Sequence, residues 1–284
     1  MITKKSLGVG IASFLIVLFL MPLGHAMMIL MQHYMEGSTL NHAAFAMGFV
    51  GLIITIIGIF VKGDTKQTLY GLVGGLLFWT GWVEFVYVYY AGALDVQPIP
   101  GDPSKPEYLM MPTSFGFLVM FFMAYIFNTK SGCNFFNWIQ KHFLKSELRV
   151  KIRPSIHNSA MVTFMELNLI LWTFYLILMF AYDKNFIGDD SPWIMVIMAI
   201  CLIGSLYMFF SKLIHITQWG YAIRYSIATV VIFWNVVEIL TRREFFKEFW
   251  IEPLQYKGEM TAILASLILL LIVMGVNIWY RKKA

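Results

Sequence analysis

Charge is what this sequence has least of. Only 13% of its 284 residues are Asp, Glu, Lys or Arg, where a soluble domain carries about 25%. With 59% hydrophobic residues and a mean hydropathy of +0.71, too little polar surface is left to face water, which excludes a soluble globular protein. Cysteine is scarcer still. Cys133 lies in a basic connecting segment and Cys201 inside an apolar run, so the two are expected at different depths and make no disulfide; no Cys-x-x-Cys pair occurs. The sequence also lacks a P-loop, a Gly-x-Ser-x-Gly elbow, a His-Glu-x-x-His helix and the His-box series of membrane di-iron oxygenases, so soluble-type hydrolase chemistry has no motif behind it. The apolar/polar alternation of barrel strands is missing too.

What is there is a series of long apolar runs, at 7–31, 43–61, 69–94, 109–127, 159–182, 193–210, 219–240 and 260–280. Each is close to the ~20 residues that cross a hydrocarbon core. A helix satisfies its own backbone hydrogen bonds there, so the expected fold is an all-α, polytopic transmembrane bundle of eight spans. The first run follows Lys4 and Lys5 as a signal peptide would, yet its length from Leu7 to Met31 and the missing small-residue cleavage pattern make it the first span.

Loop charge alternates along the chain. Lys4 and Lys5, Lys62 and Lys66, the basic 129–157 segment, Lys212 and Arg224, and Arg281 to Lys283 fall on one side; Glu36, Asp95, Asp102, Glu107, Asp183, Asp189 and Asp190 fall on the other. The positive-inside rule makes the first side cytoplasmic, with both termini there, in the inner (plasma) membrane. Topology therefore accounts for the net charge of +5, and no nucleic-acid partner is expected. The expected partners are the lipid bilayer and anionic lipids at the cytoplasmic face, where His142, His157 and His215 cluster with Arg149, Lys151, Arg153, Lys212 and Arg224. Phe135, Ile139 and Phe143 recur every four residues, as in a helix lying in that interface. Phe245, Phe246, Phe249 and Trp250, ending at Pro253, predict a similar stripe on the outer surface, as packing or as a lid.

The third and seventh spans align without a gap over their first half. YGLVGGLLFW from Tyr70 to Trp79 lies over YSIATVVIFW from Tyr225 to Trp234, an offset of 155 (225 − 70). A Val-Glu pair follows in each, Val83-Glu84 and Val237-Glu238, with a slip of one residue, and Pro98 meets Pro253 at the same offset. The pattern predicts two four-helix repeats, 1–128 and 159–284, joined by the basic segment 129–158 that carries the interfacial helix. An even number of spans per repeat makes the halves parallel.

Carboxylates inside apolar runs are costly, which marks Glu84, Glu166 and Glu238 as candidate functional residues. At the helical rise, Glu84 lies about 22 Å, Glu238 about 20 Å and His25 about 27 Å from the cytoplasmic side, while Glu166 is about 10 Å in. The first three therefore predict an outer-half pocket among spans 1, 3 and 7, with Trp79, Trp82, Trp234 and Asn235 around it. Two acids in one site share a proton, which is chemistry that a proton-coupled or ion-coupled carrier needs. The competing structural role for each acid is a hydrogen bond to a neighbouring helix.

His25, His33 and His42 lie towards the outer ends of spans 1 and 2 and give an independent metal reading. Met21, His25, Met28, Gln32 and Met35 share one helix face, and imidazole with thioether or carboxylate admits copper, iron or zinc as cofactor. Gly24-His25 and the Trp82–Phe85 string WVEF, within a layout running from Met21 to Phe127, resemble the membrane subunits of copper-dependent ammonia and methane monooxygenases. That resemblance covers about a third of the chain and implies copper chemistry. Three readings result: a carrier built on Glu84 and Glu238; a membrane-embedded metal-dependent oxidoreductase or redox subunit using His25 and the same acids; and a non-catalytic subunit held by partner subunits in a larger complex.

Overall fold

The computed structural model describes residues 3–97, 106–128, 134–144 and 158–283. Pro98, Asp102, Cys133, Arg149, Lys151, Arg153 and His157 lie outside them. Among the described residues every regular element is a helix, and eight helices are long and apolar enough to cross a membrane. The chain is a multi-pass helical bundle. Span 1 covers Lys4–Tyr34, span 2 Gly37–Phe60, span 3 Asp64–Ala93, span 4 Tyr108–Tyr125, span 5 Ser159–Tyr182, span 6 Trp193–His215, span 7 Trp219–Arg242 and span 8 Lys257–Tyr280. The odd-numbered spans start at one face of the bundle, here the near face, and end at the opposite, far face.

The apolar runs become helices because nothing else satisfies their peptide groups in lipid. Their ends are set by local chemistry. Span 1 starts at a capping box in which Thr3 Oγ1 accepts from the Ser6 N–H and Ser6 Oγ accepts from the Thr3 N–H. Span 7 stops where Glu244 takes a left-handed backbone (φ 59°), with the Phe245 N–H donating to the Leu240 carbonyl and the Glu244 N–H to that of Thr241. A chain turned at that point cannot run on as a surface helix. The expected stripe from Phe245 to Trp250 is accordingly replaced by turns: Phe245 and Phe246 are exposed, while Trp250 is buried and its ring lies 5.0 Å from that of Trp234. A helix forms over Asn134–Phe143, within the stretch expected to lie in the interface.

Odd and even spans divide the work of packing. In its most apolar stretch 78% of span 7 is buried by protein, against 28% or less in the four even spans, so the even helices leave most of their surface on the outside of the bundle. Span 7 is the axis of the core, with Ala222, Ile223, Ile227, Ala228 and Val230 fully buried. Span 1 packs along span 7 and span 5 along span 3, while spans 3 and 7 also touch. Span 2 flanks span 3 as span 6 flanks span 7, and span 4 meets span 5 as span 8 meets span 1. The odd spans begin at Lys4, Asp64, Ser159 and Trp219, so spans 1 and 5 and spans 3 and 7 are each offset by 155 residues (159 − 4 and 219 − 64).

Span 3 carries a π-helical turn from Trp79 to Glu84, with the Phe85 N–H donating to the Thr80 carbonyl five residues back. Such a turn accommodates one extra residue without breaking the helix. Trp79 and Glu84 are five residues apart where Trp234 and Glu238 are four. The wider turn absorbs that difference, and each carboxylate sits one turn beyond its tryptophan.

Glycine sets the distance between spans 2 and 3. A Cβ on Gly74 would fall 2.6 Å from the Gly51 carbonyl oxygen and collide with Thr55 Oγ1, and one on Gly81 would lie 2.5 Å from the Ala44 carbonyl oxygen. Small residues thus let the two backbones touch. Gly74→Ala is expected to lower stability in detergent by about 1–3 kcal/mol through overpacking, although alanine favours a helix; an unchanged melting temperature would show that the two backbones are not held so close.

Candidate functional site

Four partly buried polar side chains lie in the far half of the bundle, each supplied by a different odd span. His25, three residues beyond Pro22 in span 1, uses both ring nitrogens: Nε2 lies 2.7 Å from Tyr175 Oη of span 5, and Nδ1 lies 3.5 Å from Glu84 Oε1 of span 3. Tyr175, His25 and Glu84 thus form a line across three helices. Trp79 fixes one end by laying its ring 5.6 Å from that of Tyr175 at 33°. On span 7, Glu238 Oε1 accepts from Trp234 Nε1 at 2.6 Å.

A cavity of about 340 Å³ opens beside this line. Its walls include Met21, Phe174, Tyr175, Tyr182, Trp234, Asn235 and Glu238, and Glu244 and Glu248 stand at its far end. Glu244 is exposed, so the cavity reaches the far surface. Arg242 lines the mouth, where its Nε donates to Asp189 Oδ2 at 2.7 Å and its guanidinium lies 4.0 Å above the Tyr182 ring. Two much smaller pockets lie nearby, one lined by His25, Glu84, Thr80 and Trp79 and the other by His25, Glu84 and Gln32. Tyr175 lines both the large cavity and the pocket of His25 and Glu84, and so stands between them.

The structure brings His25, Glu84 and Trp79 into one cluster, and Trp234, Asn235 and Glu238 onto the cavity wall. Other sequence candidates lie elsewhere. Trp82 faces span 2, donating to the Phe45 carbonyl at 2.8 Å. Glu166 is fully buried in the near half, where Tyr125 Oη donates to its Oε1 at 3.2 Å and ties span 4 to span 5. His33 and His42 are exposed, so neither joins His25. Among the described residues no group of three or more His, Cys, Asp or Glu side chains is placed to hold a metal.

Tyr175 is the residue that sequence reasoning missed. One tyrosine within a run of Leu, Phe and Ile reads as packing, and only the approach of span 5 to span 1 shows its hydroxyl to be used. Arg224 was misread as a lipid-facing cation. It is the sixth residue of span 7, 7% exposed, and turns inward: NH1 donates to Asp64 Oδ1 at 2.9 Å and to Thr68 Oγ1 of span 3. Ser159 Oγ donates to the same Asp64 oxygen at 2.6 Å. A charge inside an apolar run was the available signal, because a guanidinium at that depth needs a carboxylate nearby.

No family model matches this chain, and no curated protein or solved structure matches it either. The site is therefore read from its own geometry. Tyr175→Phe is expected to cost about 1–3 kcal/mol of stability, since it strips a partner from a buried ring nitrogen, and to cost little in a His25→Phe background. The cycle is measured by unfolding in detergent micelles; additivity within about 0.5 kcal/mol would mean that the two side chains do not act on each other.

Proposed function

We propose that this chain is a small proton-coupled carrier of the inner (plasma) membrane, with both termini in the cytoplasm and the far face outside. The observation that carries the reading is the 340 Å³ cavity whose wall holds both Glu238 and Tyr175, with Tyr175 hydrogen-bonded to His25 and His25 paired with Glu84. A solute in the cavity meets one carboxylate directly. The second is reached through a tyrosine hydroxyl and an imidazole, two groups that both donate and accept and so pass protons along a line. Loading Glu238 or Glu84 with a proton changes the charge that a bound solute meets, and this is the coupling that a carrier requires.

The cavity reaches the far surface beside the Arg242–Asp189 pair, and we read this state as the outward-facing one of an alternating-access cycle. The Arg224–Asp64–Ser159 contacts hold spans 3, 5 and 7 together at the cytoplasmic end. We assign the exposed faces of the even spans to lipid tails, and the cationic surface of the interfacial helix, with Lys141 and His142, to anionic lipid heads. We also infer that the halves arose by duplication. The shared 155-residue offset, the exchangeable neighbours of spans 1 and 5 and of 3 and 7, and the single π turn that absorbs the sequence slip support that inference. No observation favours the metal-dependent reading: two of its three histidines face outward.

The purified chain in liposomes with an entrapped pH-sensitive dye should move protons when a solute gradient is imposed from a panel of alkali cations, ammonium, alkylamines, amino acids and organic anions. Glu84→Gln and Glu238→Gln should each reduce that movement on the order of a hundredfold while melting temperature in detergent is retained. Proton movement that no solute triggers, or that survives both substitutions, would overturn the coupling.

A further inference from the structure

We propose that the cavity is a site for a small organic monocation, an amine or quaternary ammonium compound; the inference rests on the carrier reading and names its substrate class. Three carboxylates face the space, Glu238 in the wall and Glu244 and Glu248 towards the mouth. The one cation among the lining residues, Arg242, is matched by Asp189 at 2.7 Å. The charge left over is negative, so a cation is drawn in and an anion repelled.

The rest of the wall selects among cations. Phe174, Tyr175, Tyr182 and Trp234 present rings to the same space, and aromatic faces attract a weakly hydrated organic cation strongly. An alkali ion would keep its water or demand several oxygens, for which a largely aromatic and aliphatic wall is a poor substitute. The protein already makes this contact once at the mouth, where the Arg242 guanidinium sits 4.0 Å above the Tyr182 ring. About 340 Å³ holds a solute of on the order of ten non-hydrogen atoms, judged by the volume of water molecules. The occupant is therefore a compact ammonium, with its charge beside Glu238 and the aromatic rings of the wall and its apolar part against Phe174 and Met179. Since the cavity reaches the surface beside exposed Glu244, the occupant enters from water.

The test uses the full chain in phosphatidylglycerol nanodiscs, which carry no cationic headgroup. Binding of choline and of phenyltrimethylammonium is read from tryptophan fluorescence and confirmed by calorimetry. The probe that isolates charge is 3,3-dimethylbutan-1-ol, a neutral isostere of choline. Both cations are expected to bind at least about tenfold more tightly than the alcohol. Glu238→Gln should remove most of that preference, Trp234→Leu should weaken binding where Trp234→Phe keeps it, and Glu166→Gln, buried in the other half, should leave it intact. Glu248→Gln, at the mouth, serves as the milder change should Glu238→Gln fold poorly. Equal affinity for the alcohol and choline, absence of binding, or loss of choline binding when phosphatidylcholine replaces the lipid would overturn the proposal, the last by making the occupant a headgroup. Cation binding without proton movement would overturn the coupling and leave the site standing; proton movement driven only by other solutes would do the reverse.

Discussion

A bilayer offers no partner to a polar side chain, and that constraint shapes this molecule. An ionisable group placed within a span needs a complement, and two of the pairings here cross helices. Asp64 of span 3 meets Arg224 of span 7 at one end, and Glu84 of span 3 meets His25 of span 1 towards the other. Those pairings need the odd spans in contact, which leaves the even spans on the outside of the bundle. Close approach then follows from residue size: Gly74 and Gly81 allow span 2 to sit directly on span 3, and span 3 stays free to present its other side to spans 1, 5 and 7.

The spans were legible because their signal is additive. Twenty apolar residues in a row outweigh any local propensity, so all eight runs recur as helices, with bounds extended where polar ends overhang the hydrocarbon: Lys4–Tyr34 at 31 residues is about 46 Å long, well beyond a core of about 30 Å. Depth counted along the helices also put His25, Glu84 and Glu238 at similar levels. Facing is another matter. Depth ignores rotation about the helix axis, and for this reason Trp82, only three residues from Trp79, turned out to face span 2. The π turn is equally hidden, since nothing in Trp-Thr-Gly-Trp-Val-Glu demands a wider turn; it shows only as a one-residue slip against the other half.

Long-range partners were the least legible. Tyr175 and His25 are 150 residues apart and lie on helices that the sequence alone does not pair, so a decisive hydrogen bond hides within an ordinary apolar run. Arg224 illustrates the opposite failure. Its position inside span 7 was visible, yet counting it with the loop cations treated charge as a property of one side of the membrane, when burial had made it a property of a contact. The far connection failed for a local reason: aromatic spacing suggested a helix, and a left-handed Glu244 ended one.

Under the proposed duplication, the two carboxylates differ because their surroundings have diverged. The position equivalent to His25 in the second half is Phe180 (25 + 155), and that equivalent to Tyr175 in the first is Leu20 (175 − 155). An imidazole and a hydroxyl therefore exist on one side of the axis only. Glu84 is engaged by them, while Glu238 keeps only an indole donor and the open cavity. Two copies of one acid thereby acquire two surroundings, one beside the His25–Tyr175 pair and one on the wall of an open cavity. A pair equal in surroundings would compete for the same proton; a pair made unequal by two apolar-to-polar differences can hold a proton at one acid while the other meets a charge.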